Sequence, residues 1–143
     1  MAINFLGQSN PTTNVPVSKD VVCKVVKLTS AHFSTTAINT LVAVLPADAT
    51  ILGFDYWNKT KLAGNSISAA TLSLGSASAG TEFVNAFDVF TTVGTQAKLS
   101  PVAGIMQNYS LPLGSDIKIW AKGAATTGIP TSGEIYVTIW YVR

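Results

Sequence analysis

The stretch Leu45–Val89, LPADATILGFDYWNKTKLAGNSISAATLSLGSASAGTEFVNAFDV, is where the chain is easiest to read. Two apolar runs, Ala49–Trp57 and Ala69–Gly75, are separated by a polar turn. A third, Glu82–Val89, follows a bend of small residues. Leu52, Phe54 and Tyr56 recur at a spacing of two, which places them on one face of a strand. Ile51, Gly53, Asp55 and Trp57 then occupy the opposite face, a mixed set suited to a partly covered surface. Phe83, Phe87 and Phe90 also fit a helical turn, but Val84, Val89 and the Thr91–Thr92 pair favour strand or irregular structure.

Upstream, Asp20–Ser30 (DVVCKVVKLTS) is β-branched and reads as a strand. Its faces are Val21/Cys23/Val25/Lys27 and Val22/Lys24/Val26/Leu28, and Cys23 is expected to be a small core residue. A second strand, Ala37–Leu45, turns at Pro46–Asp48 into the one starting at Thr50. Residues 1–18 differ from the rest. An apolar tip of Ile3, Phe5 and Leu6 precedes a segment rich in Asn and Thr with Pro11 and Pro16, so helix is disfavoured. The expected organisation is an extended N-terminal arm over residues 1–18 and one β-domain over residues 19–143.

Downstream, Lys59–Ser68 is expected to be a loop centred on Gly64–Asn65. One or two short edge strands are expected between Val93 and Pro112, where Gly and Pro punctuate the pattern. Asp116–Lys122 (DIKIWAK) alternates, with Ile117, Ile119 and Ala121 inward and Lys118, Trp120 and Lys122 outward. Gly123–Ser132 reads as a loop. The last segment, GEIYVTIWYVR, has Ile135, Val137, Ile139 and Tyr141 on one face and Tyr136, Thr138, Trp140 and Val142 on the other. A strand apolar on both faces belongs at the centre of a sheet or under a subunit contact. About eight strands, with turn signals at roughly 8–12 residue intervals, define an all-β sandwich or barrel.

Composition narrows the function. Of 143 residues, 48% are hydrophobic and only 11% charged, against roughly 25% charged in ordinary soluble domains. Such a surface suits a protein in extensive contact with neighbours. The nine Lys and Arg are scattered and the net charge is +2, which argues against nucleic-acid binding. One cysteine excludes an intrachain disulfide and points to a reducing site of synthesis. The N-terminus lacks the basic and apolar regions of a secretory signal, and no apolar run is long enough for a membrane helix. A soluble protein made in the cytoplasm is expected, with no membrane partner.

Chemistry is not signposted. The single His32 and single Cys23 make a poor nucleophile–base pair and cannot build a zinc site. A lone loop histidine such as His32 is expected to be solvated. The carboxylates lie mostly at strand ends, where they cap turns. Asp55, mid-strand, is the exception, and an edge or interface salt bridge explains it as well as a site does. There is no calcium loop and no phosphate-binding glycine loop. Neither an enzyme nor a cofactor is expected. Trp120 flanked by Lys118 and Lys122 is the one arrangement that resembles a glycan platform or protein hot spot.

The LPADATILGFDYW segment, the SAATLSLGSASAGTEFV segment and the terminal GEIYVTIWY strand occur together here. With them the chain resembles small virion proteins of tailed bacteriophages, and is most similar to the capsid decoration (cement) and head-fibre class. The resemblance covers Leu45–Arg143. It implies an antiparallel β-sandwich, often jelly-roll-like, assembled as a homotrimer on the outer capsid surface, where it bridges capsomers. Its partners would be the major capsid protein and further copies of itself, and it would reach the virion after synthesis in the host cytoplasm. On this reading Ile3, Phe5, Leu6, Tyr136 and Trp140 are candidates for capsid or subunit contact. Lys118, Trp120 and Lys122 are surface-binding candidates, and they carry the alternative: a carbohydrate- or receptor-binding module of a phage fibre or tail.

Overall fold

β-Branched and aromatic residues at a spacing of two produce eight strands in the computed structural model, which describes residues 20–99 and 114–143. They are β1 (Val21–Thr29), β2 (Ile38–Leu45), β3 (Thr50–Ala63), β4 (Ala69–Gly75), β5 (Val84–Asp88), β6 (Gln96–Leu99), β7 (Ile117–Thr126) and β8 (Ser132–Val142). A single 3-10 turn at Ser30–His32 follows β1.

The strands form two four-stranded sheets, ordered β1-β8-β3-β6 and β2-β7-β4-β5, with antiparallel ladders throughout. The pairing is nested: β1 with β8, β2 with β7, β3 with β6, β4 with β5. A long hairpin wound in this way around a core is the jelly-roll-like form of a β-sandwich. The winding follows from the turns. Every connection crosses between sheets except the one joining β4 to β5.

Between the sheets, Leu28, Leu45, Ile119, Ile135, Ile139, Leu72 and Leu74 are all but fully buried. Aromatic pairs tie the layers together. Phe54 on β3 lies 5.4 Å from Phe83, and Tyr56 meets Phe87 edge-on at 5.2 Å. The Tyr56 hydroxyl donates to the carbonyl of Val89 across the core, and burial raises its pKa above the ordinary tyrosine value. β8, apolar on its inner face, is central in its sheet, as its two-faced composition suggests.

Several local expectations change. β3 runs through Lys59–Ala63, where a loop is expected from the polar composition. It stays paired to β8 as far as Ala63↔Ser132, with Leu62 fully buried. The turn itself is confined to Gly64, Asn65 and Ser66, all at positive φ. β7 likewise extends beyond Lys122 to Thr126, because β4 pairs with it there. On β3 a register shift between Ile51 and Gly53 breaks the expected alternation. Ile51 takes the inward place and Leu52 is left 52% exposed.

Cys23 also departs from expectation. It is exposed, because the inward face of β1 is the Val26/Leu28 set. His32 does not sit free in a solvated loop. Its Nδ1 accepts the Thr29 backbone N–H at 3.1 Å and closes the 3-10 turn. The expected arm, residues 1–18, lies outside the described residues, as do residues 100–113.

Candidate functional site

Side chains that do not enter the core must stand on the outer faces of the two sheets, and that is where the candidate residues lie. On the outer face of β1-β8-β3-β6, cross-strand register sets up rows. Cys23, Trp140 and Gly53 form one; Val25, Thr138, Asp55 and Lys98 the next; Lys27, Tyr136, Trp57 and Gln96 the third. Tyr136 and Trp140 are thus brought onto one surface, four residues apart on β8 with Thr138 between them.

Each is held by a neighbour on β3. Trp57 and Tyr136 stack with ring centroids 5.4 Å apart and planes 25° apart. The Trp140 indole N–H donates to Asp55 Oδ2 at 2.6 Å, which fixes the indole against β3. Asp55 is therefore engaged within its own sheet, and its ion-pair explanation gives way to a charge-assisted hydrogen bond. Glu134 anchors the end of the same face. Its carboxylate accepts from the Tyr136 hydroxyl and pairs with Lys27 and Lys59 at 3.0 Å each. Those three donors, Tyr136 first, pull its pKa down to about 2, and the pair in turn raises that of Lys59.

This face divides into two halves. The β1 half is apolar from Val21 to Val25, and among the described residues nothing covers it: Val21 is 62% and Val25 57% exposed around Cys23. The β3–β6 half holds two open depressions. One, of about 490 Å³, is bordered by Asp55, Trp57, Gln96, Lys98 and Thr138. The other, of about 310 Å³, is bordered by Leu52, Gly53, Asp55, Lys98 and Trp140.

Lys118, Trp120 and Lys122 project from β7 on the outer face of the other sheet, beside Val44, Leu41 and Asn39 of β2. They form one row as expected, but on the opposite side of the sandwich from Tyr136 and Trp140, so the two sets cannot serve one site. Neither depression just described touches them. Ile3, Phe5 and Leu6 lie outside the described residues. The sequence reading missed the exposed Val21/Val25 pair and the Asp55–Lys98 apposition. The first was hidden by the choice of core face for β1. The second depends on β6 pairing with β3, which sets Asp55 opposite Lys98, 43 positions further along the chain. Among the described residues no group of three His, Cys, Asp or Glu could hold a metal, and no helix is long and apolar enough to cross a membrane.

Comparison with solved structures finds the same fold in phage capsids. A chain of the cyanophage Pam1 capsid asymmetric unit aligns with a TM-score of 0.56 at 19% identity, covering 87% of this chain and 85% of that one. A chain of the capsid of Ralstonia phage GP4 gives 0.55 at 16% identity, covering 90% and 88%. A chain of the acid-stable capsid of Helicobacter pylori bacteriophage KHP30 gives 0.52 at 9% identity, covering 88% and 94%. No protein-family model and no curated protein sequence matches the chain. What the chain shares with these capsid chains is the fold: two packed antiparallel sheets forming a β-sandwich.

Proposed function

We propose that this chain is a structural virion protein, a homotrimeric decoration protein that sits on the outer capsid surface and stabilises it by bridging capsomers. The observation that carries this reading is the apolar edge of the first sheet. β1 is an edge strand whose outward residues Val21, Cys23 and Val25 are exposed to solvent, on a fold shared with chains of phage capsids. An apolar edge strand left bare is an invitation to strand addition and aggregation. A permanent neighbour removes that liability. The low charge of the chain supports the same conclusion, since burial between subunits needs little charged surface.

On this reading the work is done by area burial, with the major capsid protein and other copies of the chain as partners. Ile3, Phe5 and Leu6, on the segment that leads into β1, extend the contact, and Tyr136 and Trp140 border it. Synthesis takes place in the host cytoplasm, and no catalytic step is involved.

The test has two parts. Mass spectrometry of separated phage heads and tails is expected to place the protein in the head fraction. Val25→Asp, at an exposed position, is expected to leave the melting temperature unchanged while lowering occupancy on capsids. Recovery of the protein in tails alone, or full occupancy by the variant, overturns the reading. The fibre or tail alternative rests on the Lys118/Trp120/Lys122 row. It is favoured only if the protein is found in tails and Trp120→Ala abolishes attachment to a receptor.

A further inference from the structure

The second half of the first sheet's outer face has a composition that a capsid contact does not explain. Its two depressions are neighbours that share Asp55 and Lys98. They follow one another along β3 as a shallow groove interrupted at that pair, with Trp57 bordering one and Trp140 the other. Trp57 pairs with Tyr136 and Trp140 with Gly53, so the indoles lie four residues apart along the ladder, about 13 Å at strand rise. That is the reach of a short chain of sugar rings.

Both indoles are pre-set. One face of Trp57 is covered by Tyr136, and its 39% exposure is on the side bordering the larger depression. Trp140 is pinned by its N–H to Asp55 and remains 37% exposed. Between them the floor is polar. Asp55 uses Oδ2 for Trp140 and, among the described residues, makes no hydrogen bond through Oδ1, and Thr138 and Gln96 line the larger depression. Among the described residues Lys98 makes no ion pair, although it stands opposite Asp55 in register.

A flat protein partner would bury that carboxylate and that unpaired ammonium together, and interface cores are depleted of charge because the desolvation penalty is poorly recovered. A polyhydroxylated ligand behaves differently. Its hydroxyls both donate and accept, so each groove group keeps a hydrogen bond, while its C–H faces lie on the indoles. One cation against one anion leaves no net charge to favour an acidic or basic ligand.

We propose that the Trp57–Asp55–Lys98–Trp140 groove binds a neutral oligosaccharide, with Trp57 and Trp140 as stacking platforms and Asp55, Lys98, Gln96 and Thr138 as hydrogen-bonding groups. The open groove admits a chain lengthwise and takes it by side-on contact. The groove lies beside the proposed β1 contact, with Trp140 at the border between them, and it gives the particle a surface affinity for glycans.

Isothermal titration calorimetry on the isolated full-length protein tests it, using maltohexaose, cellohexaose, chitohexaose and mannohexaose as probes. At least one is expected to bind. Trp57→Ala and Lys98→Ala are each expected to lower that association constant on the order of tenfold, and Trp120→Ala to leave it unchanged. If Trp57→Ala lowers the melting temperature, Lys98→Ala decides, since among the described residues its ammonium makes no ion pair. No heat from any of the four probes overturns the proposal. So does unaltered binding by Lys98→Ala, or loss of binding in Trp120→Ala. Because capsids are absent from the experiment, its failure leaves the structural role untouched.

Discussion

Glu134 gathers more charge than any other described residue, and its pH behaviour is a property of that one side chain. Its carboxyl is held at about 2 by Tyr136, Lys27 and Lys59, against an ordinary value of 4.5. A depressed carboxyl contributes stability that is fully present above its unfolded value and is lost as pH falls through the folded one. The window is therefore from about pH 4.5 down to about pH 2. Melting temperatures between pH 6 and pH 2 are expected to fall more steeply for the native chain than for Glu134→Gln, the two curves converging at the acid end. Parallel curves would show that the exposed pairs contribute nothing, as many surface ion pairs do. The role of Glu134 was not legible in the sequence. Lys27 and Lys59 stand on separate strands, β1 and β3, and only the position of β8 between them brings all three together.

At the scale of elements, the 3-10 turn after β1 depends on a strand far along the chain. Gly123 on β7 faces inward beneath it. An added Cβ would lie 2.1 Å from the His32 carbonyl oxygen and 2.9 Å from the Phe33 ring. The first contact is with backbone, which cannot swing aside as a side chain can. Gly123→Ala is expected to destabilise the fold by roughly 1–3 kcal/mol through overpacking, measured by urea unfolding. An unchanged midpoint would mean that the turn shifts freely. The glycine is needed because Phe33 is fully buried and draws the turn down onto β7, where the bridge Ser34↔Ala124 fixes it. Strand identities were largely readable from alternation, in β7 and β8 above all. Strand ends were not. Lys59–Ala63 and Gly123–Thr126 look like loops by composition, yet pairing with β8 and β4 keeps them extended.

For the whole molecule the proposal is an assembly, so its predictions concern assembly. Light scattering is expected to give three times the 15.0 kDa chain mass. A chain lacking residues 1–17 is expected to fold, since all eight described strands begin at Val21 or later, but to bind capsids no longer. Full decoration by the truncated protein would remove the arm from the mechanism.

The all-β class, the approximate number of strands and the two-faced character of the last strand were determined by the sequence alone. Each rests on alternation between neighbours in the chain, and a side-chain period of two is visible in one dimension. Which face is core, where Cys23 and Leu52 point, and which residues share a surface were decided only by the tertiary structure. One inserted residue at Ile51–Gly53 reverses an alternation, and residues such as Asp55 and Lys98 become neighbours only through strand pairing between distant parts of the chain. Local spacing carries neither kind of information.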